Sequence, residues 1–376
     1  MHGATVAPVA PVGRVACGAL PCRAAGDLFV SAVAKASFAL VQGQHIKPLD
    51  PAPLVASDVP ASEQPASSLR AASDRVPGRP QVDVLLAGRA YAARVRLRVD
   101  RGAERVLIDK DALVRPPPAA AASLDPRRPT SAGSRVSVPL VYELAAGGAA
   151  CRDNPAGRAD PQMVHPRRWD MPIGFGPISP IWPARTGLLT DAHLHALIAP
   201  ILALSSDFPW AFFHVAPPDQ RTPSLIGDEW IYLEGVFPDI AWMQARLLGA
   251  PGEAQVLRAG GAVERAALFA DTLILDAEER VCSIVFHGQI PMADLSQLSP
   301  EEVKRVREQP ALPFQALAVA RRVCRARRAR RVSSPRCTTR CGHTSAHARG
   351  AMVRARDQAR TSHLTGHADP SHPVRP

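Results

Sequence analysis

The segment 93–109, ARVRLRVDRGAERVLID, constrains the fold more than any other part of the sequence. From Arg94 to Val99, three arginines alternate with three apolar residues, the period of two that is typical of a half-buried strand. Arg101 and Gly102 then provide a turn, and apolar residues follow it. The segment therefore predicts a β-hairpin. Its arginines fit the solvated face of a strand, with an anion-binding site as the less common alternative.

Composition extends this prediction to the rest of the chain. Proline makes up 38 of the 376 residues, and only 5% are aromatic. Because proline interrupts helices and strands alike, this composition favours short strands joined by structured turns over a helical bundle. We expect a mainly β body, resembling a β-sandwich or barrel, with a few short helices. Besides the hairpin, the predicted strands are 28–41, 81–91, 134–144, 229–236 and a closing pair within 271–288.

Two segments show helical spacing instead. Residues 190–204 begin with a Thr-Asp cap and place apolar residues three and four positions apart. Residues 299–309 begin with Ser-Pro and complete a capping box with a glutamate three positions after the serine. Both are therefore predicted to be helices.

The predicted organisation has four parts. A flexible lead covers 1–27, and a β-rich domain covers 28–295. A short helix and linker follow at 296–320, and a disordered basic tail covers 321–376. A proline- and alanine-rich connector at 116–133 can divide the β-rich domain into two sub-parts.

The net charge of +11 belongs to the tail and not to the body. Of the 45 basic and 34 acidic side chains, fourteen arginines and two acids lie in 321–376, which leaves 31 basic and 32 acidic side chains elsewhere. The tail has no apolar periodicity and cannot bury enough surface to order itself. It is interpreted either as an out-of-frame extension or as a basic arm that binds nucleic acid without sequence preference.

The cysteines and the N-terminal sequence favour a cytoplasmic protein. There are seven cysteines, an odd number, and they form no CxxC pair, which fits reduced thiols better than a disulfide framework. The first residues lack the charged start and unbroken apolar core of a signal peptide. The longest apolar run is too short and too rich in proline to cross a bilayer. No membrane insertion is expected.

Two histidine motifs offer metal ligands, but neither predicts a metal site. His193 and His195 lie two positions apart, so on a helix they point about 200° apart and cannot share one ion. They are interpreted as surface histidines. In the tail, the Cys337–His347 cluster leaves a single residue between its cysteine pair and its first histidine, where zinc fingers leave about twelve. We expect no metal and no cofactor.

The segment 212–230, FFHVAPPDQRTPSLIGDEW, has the residue mix of an active site. Asp219 and Glu229 could form the acid/base pair of a glycosidase. However, Asp219 follows two prolines, and Asp228 and Glu229 follow a glycine, positions where acidic side chains more often accept hydrogen bonds within turns. The segment is interpreted as structural, and a hydrolase using its acids is the alternative.

The neighbouring segment 172–185, PIGFGPISPIWPAR, predicts a rigid, non-repetitive loop. Its glycines permit unusual backbone angles, while its prolines restrict others. The loop carries Phe175 and Trp182. Its Arg185 is expected to pair with one of the acids that follow in the chain.

These segments belong to five ordered blocks that resemble one bacterial family. It is a domain-of-unknown-function family encoded beside effector genes of type VI secretion, whose members act as adaptor chaperones. The resemblance covers about residues 28–295. The blocks are 67–92, 138–148 with 154–158, 174–185, 207–221 with 225–238, and 271–288.

Three features depart from the family pattern. Phe286 and His287 replace the Trp-Arg of the closing block. An aromatic residue is missing from the second block, at LAAGG, and a Tyr-Asp pair is missing from the region TGLLTDAHLHAL. These departures affect the expected partner preference more than the expected fold.

The resemblance implies a non-catalytic, cytoplasmic adaptor that binds a type VI effector, which can carry a PAAR domain, and helps to load it onto the VgrG/PAAR spike. Sheet edges and loops bearing aromatic residues would contact the effector. The implied binding residues are Phe175, Trp182, Arg185, Asp207, Phe208, Phe213, Asp219, Gln220, Asp228 and Glu229. The implied structural signature is Gly174, Gly176, Pro177, Ala216, Pro217, Pro218 and Gly227.

Overall fold

A computed structural model describes most of the chain between residues 14 and 292. The described ranges are 14–64, 66–102, 105–115, 137–199, 201–248, 252–257 and 263–292. The predicted connector, the second predicted helix and the basic tail, with the Cys337–His347 cluster, lie outside the described residues.

The described residues are mostly β, as predicted. In chain order the strands are β1 (Ala16–Ala24), β2 (Asp27–Ala39), β3 (Gln44–His45), β4 (Lys47–Pro48), β5 (Val59–Pro60), β6 (Leu69–Ala71), β7 (Val82–Ala87), β8 (Arg89–Ala90), β9 (Arg94–Arg101), β10 (Arg105–Val114), β11 (Val138–Pro139), β12 (Met163–Val164), β13 (Leu202–Leu204), β14 (Arg221–Thr222), β15 (Trp230–Glu234), β16 (Trp242–Arg246), β17 (Gly252–Leu257), β18 (Val263–Asp276) and β19 (Val281–Pro291). The α-helices are α1 (Pro183–Thr186) and α2 (Asp191–Leu197), and short 3₁₀ turns occupy Tyr142–Leu144, Trp210–Phe213 and Pro218–Gln220.

Two large sheets contain most of the strands. The first has the order β13-β1-β2-β19-β18-β7-β14, with β17 added to β18 and β4 added to β2. The second has the order β12-β10-β9-β15-β16-β3. Two-stranded pairs, β11 with β8 and β5 with β6, complete the pattern. Both large sheets are open, so the barrel-like alternative within the prediction is not the observed form.

The main hydrophobic core contains side chains from both large sheets. Leu86 of β7 and Leu273 of β18 belong to the same buried cluster as Leu97 of β9 and Ile231 of β15. A second cluster gathers the aromatic residues after β13 with side chains of β1 and α2. This burial is the main favourable contribution to folding.

The two predicted hairpins are confirmed. Strands β9 and β10 pair antiparallel, and so do β18 and β19. The arginines of β9 face outward and pair with carboxylates, with Arg96 donating to both oxygens of Asp109 at 2.7 and 2.6 Å. The strand interpretation of the alternating arginines is therefore confirmed.

Three predicted boundaries are wrong. Strand β1 lies within the predicted flexible lead 1–27 and pairs along its whole length with β2. Of the predicted strand 134–144, only Val138–Pro139 is a described strand. Helix α2 has the predicted Thr190 cap but ends at Leu197, before a proline that cannot supply a backbone N–H.

None of the described helices is long and apolar enough to cross a membrane.

Candidate functional site

Gln220 joins three elements at the centre of the fold. Its side chain is fully buried, and its Nε2 donates to the carbonyls of Val84 in β7 and Phe175 in the loop 172–185, at 2.7 and 2.9 Å. Its Oε1 accepts from Nζ of Lys110 in β10 at 2.8 Å. Both the Nε2 donor group and the Oε1 acceptor of Gln220 are therefore engaged by other residues of the chain, so Gln220 is a structural cross-link.

Arg185 does not pair with an acid, contrary to the prediction. Its guanidinium donates to the carbonyl of Phe212 at 3.1 and 2.7 Å and to that of Ile178 at 2.8 Å, and it lies 5.0 Å from the centre of the Phe212 ring. Burial lowers the pKa of Arg185 to about 10. The guanidinium thus supplies hydrogen-bond donors to the carbonyls of Phe212 and Ile178, as buried backbone carbonyls require.

The aromatic residues implied as binding anchors lie in the interior. Phe175, Trp182, Phe208 and Phe213 are all buried. The Trp182 Nε1–H donates to the carbonyl of Ala66 at 2.9 Å. Phe208 and Phe213 stack on each other with ring centres 5.4 Å apart. These rings hold the loops in place and are not exposed to a partner.

Glu229 has the structural turn role that its sequence position predicts. Its carboxylate is fully buried and accepts from the backbone N–H groups of Ile226 and Gly227, both at 2.8 Å. Arg101 donates to it from two nitrogens, at 3.1 and 2.9 Å. Gly227 has a φ of 88°, a conformation that glycine adopts without strain. Both carboxylate oxygens are therefore engaged in fixing the turn before β15.

The other three acidic residues that the resemblance implied as binding residues lie beside three different basic side chains. Asp219 accepts from Lys110 at 3.0 Å, and Asp228 lies 4.0 Å from Arg246. Asp207 is exposed and lies 3.5 Å from Nε2 of His193. A hydrolase that uses Asp219, Asp228 or Glu229 remains an untested prediction.

His193 is buried, so the interpretation of both histidines of DAHLH as surface residues is wrong for this one. Its Nδ1 accepts from the backbone N–H of Thr190, and the Thr190 hydroxyl accepts from the His193 N–H, both at 3.2 Å. The histidine thus takes the place of glutamate in a capping box. Within the described ranges, no group of three or more His, Cys, Asp or Glu side chains is placed to hold a metal ion.

The signature residues position these loops through their backbones. A Cβ on Gly174 would lie 2.5 Å from the Tyr142 ring, so only glycine fits there. The carbonyl of Pro177 accepts from Leu69 N–H, and Ala216 N–H donates to Asp83. Pro217 and Pro218 begin the 3₁₀ turn that contains Gln220. Nothing in the structure explains a requirement for glycine at Gly176.

Asp83 is the centre of a buried ionic network that sequence reasoning missed. It is fully buried in β7, and its Oδ1 lies 2.7 Å from Nδ1 of the buried His214. Its Oδ2 accepts from Val215 N–H at 2.6 Å. Arg79 and Arg221 lie 3.4 and 3.7 Å from its oxygens. Polar groups of four other residues thus surround the Asp83 carboxylate, and both of its oxygens are engaged within the fold.

Arg79 connects Asp83 to a second buried carboxylate, Asp271 of β18. The Arg79 guanidinium lies 3.3 Å from Asp271, and the Arg79 backbone N–H donates to the same carboxylate at 3.0 Å. On the other side, Nδ1 of His287 lies 2.8 Å from Asp271, and Nε2 lies 2.9 Å from the carbonyl of Asp74. Two sequence features could have indicated this network: Asp83 lies within the apolar segment VDVLLAG, and Asp271 opens DTLILD. Buried charges inside apolar strands are rare unless they have partners.

The Asp271 network predicts a specific pH dependence of stability. Burial alone would raise the pKa of Asp271, but the charges of His287 and Arg79 outweigh it and lower this pKa. The carboxylate therefore stabilises the fold fully above its unfolded pKa of about 3.9, and this contribution is lost as the pH falls through the lower folded pKa. Urea unfolding of wild type and Asp271→Asn should differ most at about pH 6, and the difference should shrink below about pH 4. A difference that stays constant with pH would contradict this.

An open groove, here called the β18 groove, lies above this network. It is bounded by residues 265–271 of β18 and by the segments 77–82 and 223–227, with a volume of about 1130 Å³. Its lining includes three exposed apolar side chains, Phe269 (70% exposed), Ile226 (60%) and Leu248 (40%). The groove is thus a large apolar surface above a buried polar network whose charges are already paired.

Comparison with known proteins gives one family. A family described as "Uncharacterized protein conserved in bacteria (DUF2169)" matches residues 25–287. The match includes the whole second sheet, most of the first sheet, the loop 172–185 and most of the β18 groove. No curated protein and no solved structure matches the chain.

Proposed function

This chain belongs to the bacterial family DUF2169, and from this premise we propose that it is a non-catalytic adaptor chaperone of type VI secretion. It would bind the effector encoded beside it in the cytoplasm and help to load that effector onto the VgrG/PAAR spike. The type VI part of this proposal rests on the five ordered sequence blocks, because the family itself is uncharacterized.

The observation that carries the binding role is the β18 groove. Phe269, Ile226 and Leu248 together present apolar surface to solvent along one continuous groove. Exposed apolar side chains scattered singly need no explanation, whereas several lining one concave surface indicate an interaction site. The contact surface is thus assigned to these residues in place of the buried aromatic residues that the resemblance implied.

The groove favours a polypeptide segment as its occupant. Its volume exceeds the range of about 300–1000 Å³ that is typical of small-molecule pockets. The polar groups beneath it, Arg79, Asp271 and His287, already have partners. Recognition would therefore rest on apolar contacts, which suits an effector segment that must be shielded from water before export.

The contacts of the acidic residues support a scaffold more than a hydrolase. Both oxygens of Glu229 accept hydrogen bonds from Arg101 and the preceding turn, so neither is directed at a substrate. Asp219 is paired with Lys110. Nucleic-acid association through the basic tail concerns residues outside the described ranges, so no contact in the structure favours it.

Coexpression with the neighbouring effector tests the proposal. We expect the two chains to copurify as a stable complex, and we expect effector levels to fall in cells that lack this protein. Failure to copurify, together with normal effector levels in the absence of this protein, would contradict the adaptor role.

A further inference from the structure

The outward face of the second sheet carries an exposed tryptophan, Trp242 of β16. Its side chain is 52% exposed, and it lines two neighbouring concavities of about 360 and 550 Å³. The first of these is also lined by Tyr232 and Glu234 of β15. An aromatic ring thus stands between two recesses on a face that is distinct from the β18 groove.

Two other tryptophans of this protein, one exposed and one half-buried, are covered by cations. The guanidinium of Arg115 lies 4.1 Å from the ring centre of Trp169, and that of Arg246 lies 5.8 Å from the ring centre of Trp230. Across the described ranges, no cation and no second ring contacts Trp242. The face of its indole is therefore available to a cation from another molecule.

Glu234 lies beside Trp242 and supplies a negative charge. The two residues are direct cross-strand neighbours in β15 and β16, so their Cβ atoms are about 5 Å apart. On its other side Glu234 faces Arg96 of β9, which donates two hydrogen bonds to Asp109. Glu234 itself is exposed, and although its charge acts on Arg96, no hydrogen bond or ion pair engages it among the residues that the structure describes.

The surrounding charges leave one carboxylate in excess. The three outward arginines of β9 are each paired with an aspartate, namely Arg94 with Asp111, Arg96 with Asp109 and Arg98 with Asp100. Glu234 is the fourth carboxylate on this face. An anionic ligand such as nucleic acid would meet no unpaired cation here, whereas a cationic group would complete the charge balance.

We propose that this face is a docking site for a basic segment of a protein partner, with one arginine side chain stacked on Trp242 and hydrogen-bonded to Glu234. Arginine fits better than lysine because its planar guanidinium can stack on the indole while it donates to both carboxylate oxygens. Tyr232 forms the wall of the recess next to the stacked group. The site is independent of the adaptor role, since it shares no lining residue with the β18 groove.

Binding of a fluorescein-labelled hexa-arginine peptide to the full chain, followed by fluorescence anisotropy at low salt, tests this site. We expect Trp242→Leu and Glu234→Gln each to weaken binding about two- to fivefold, because an exposed cation–π contact or ion pair contributes that much. Trp169→Leu is the matched control, since it removes an exposed tryptophan that Arg115 already covers, and it should leave binding unchanged. A hexa-glutamate peptide should not bind at this face.

Three outcomes would overturn the proposal. The first is no binding of hexa-arginine to the wild-type chain, and the second is equal binding by wild type, Trp242→Leu and Glu234→Gln. The third concerns the fourteen arginines of 321–376. If Glu234→Gln makes these arginines more sensitive to trypsin in the absence of any peptide, the occupant is the chain's own tail and not a partner.

Discussion

Replacing Arg79 by methionine is expected to lower the free energy of unfolding by about 3–5 kcal/mol, because it leaves two buried carboxylates without their shared cation. The guanidinium lies 3.4 Å from Asp83 and 3.3 Å from Asp271, and it also donates to the carbonyl of Phe213 at 3.0 Å. Methionine keeps much of the apolar stem but none of these donors. Urea unfolding followed by circular dichroism measures the effect.

Arg70→Met is the matched control for this experiment. Arg70 lies in strand β6 and its side chain is exposed, so the same substitution there should change the free energy of unfolding by no more than about 0.5 kcal/mol. A loss of similar size in both variants would show that Arg79 has no special role. So would a loss below about 1 kcal/mol for Arg79→Met, since that is typical of an exposed pair.

The double substitution Ile226→Glu with Phe269→Glu is expected to weaken effector binding by about a hundredfold or more. Each side chain would be transferred from water to an apolar contact on binding, a gain of about 1.5–3 kcal/mol per residue, and each 1.4 kcal/mol corresponds to tenfold in affinity. A carboxylate at either position adds a desolvation cost. Because both residues are exposed in the free protein, its melting temperature should hardly change. Calorimetric titration with the effector segment measures the affinity.

Val106→Glu provides the control for the β18 groove. Val106 is an apolar strand residue of β10 that is 48% exposed and does not line this groove. The same change of an aliphatic side chain to glutamate there should leave effector binding intact. If Val106→Glu weakened binding as much as Ile226→Glu, general surface charge rather than the groove would be responsible.

The parts of the fold that sequence could predict are those in which a local pattern decides the structure. The alternation from Arg94 to Val99 specifies a strand with one buried face, and the hairpin formed by β9 and β10 has that form. The Thr190 cap likewise marks the start of α2. These features depend on neighbours within one hairpin or one helical turn, so no distant partner was needed to predict them.

The residues of the candidate site could not be placed in this way. Trp182 and Phe175 lie in a loop without periodicity, so nothing in the sequence distinguishes a buried ring from an exposed anchor. The sequence predicts that Arg185 pairs with an acid, yet its guanidinium donates hydrogen bonds to the carbonyls of two loops that meet only in the folded chain. The β18 groove combines Ile226 and Phe269, which lie more than forty residues apart in the sequence.

The buried ionic network of Asp83 and Asp271 also could not be predicted from local sequence patterns. Asp83 and His214 are 131 positions apart, and Arg79 reaches Asp271 across 192 positions. Each residue alone has an ordinary interpretation as a strand or turn residue. Their common role depends on the parallel pairing of β7 with β18, a long-range contact that no local pattern specifies.

Photo-crosslinking from position 269 tests the central claim most directly. The full chain would carry p-benzoylphenylalanine in place of Phe269, in the β18 groove, or in place of Val106 as the control, and each would be irradiated in complex with the coexpressed effector. The adaptor account predicts a covalent adduct with one continuous effector segment from position 269 and none from position 106. A complex that forms normally but gives no adduct from position 269, or equal adducts from both positions, would contradict it.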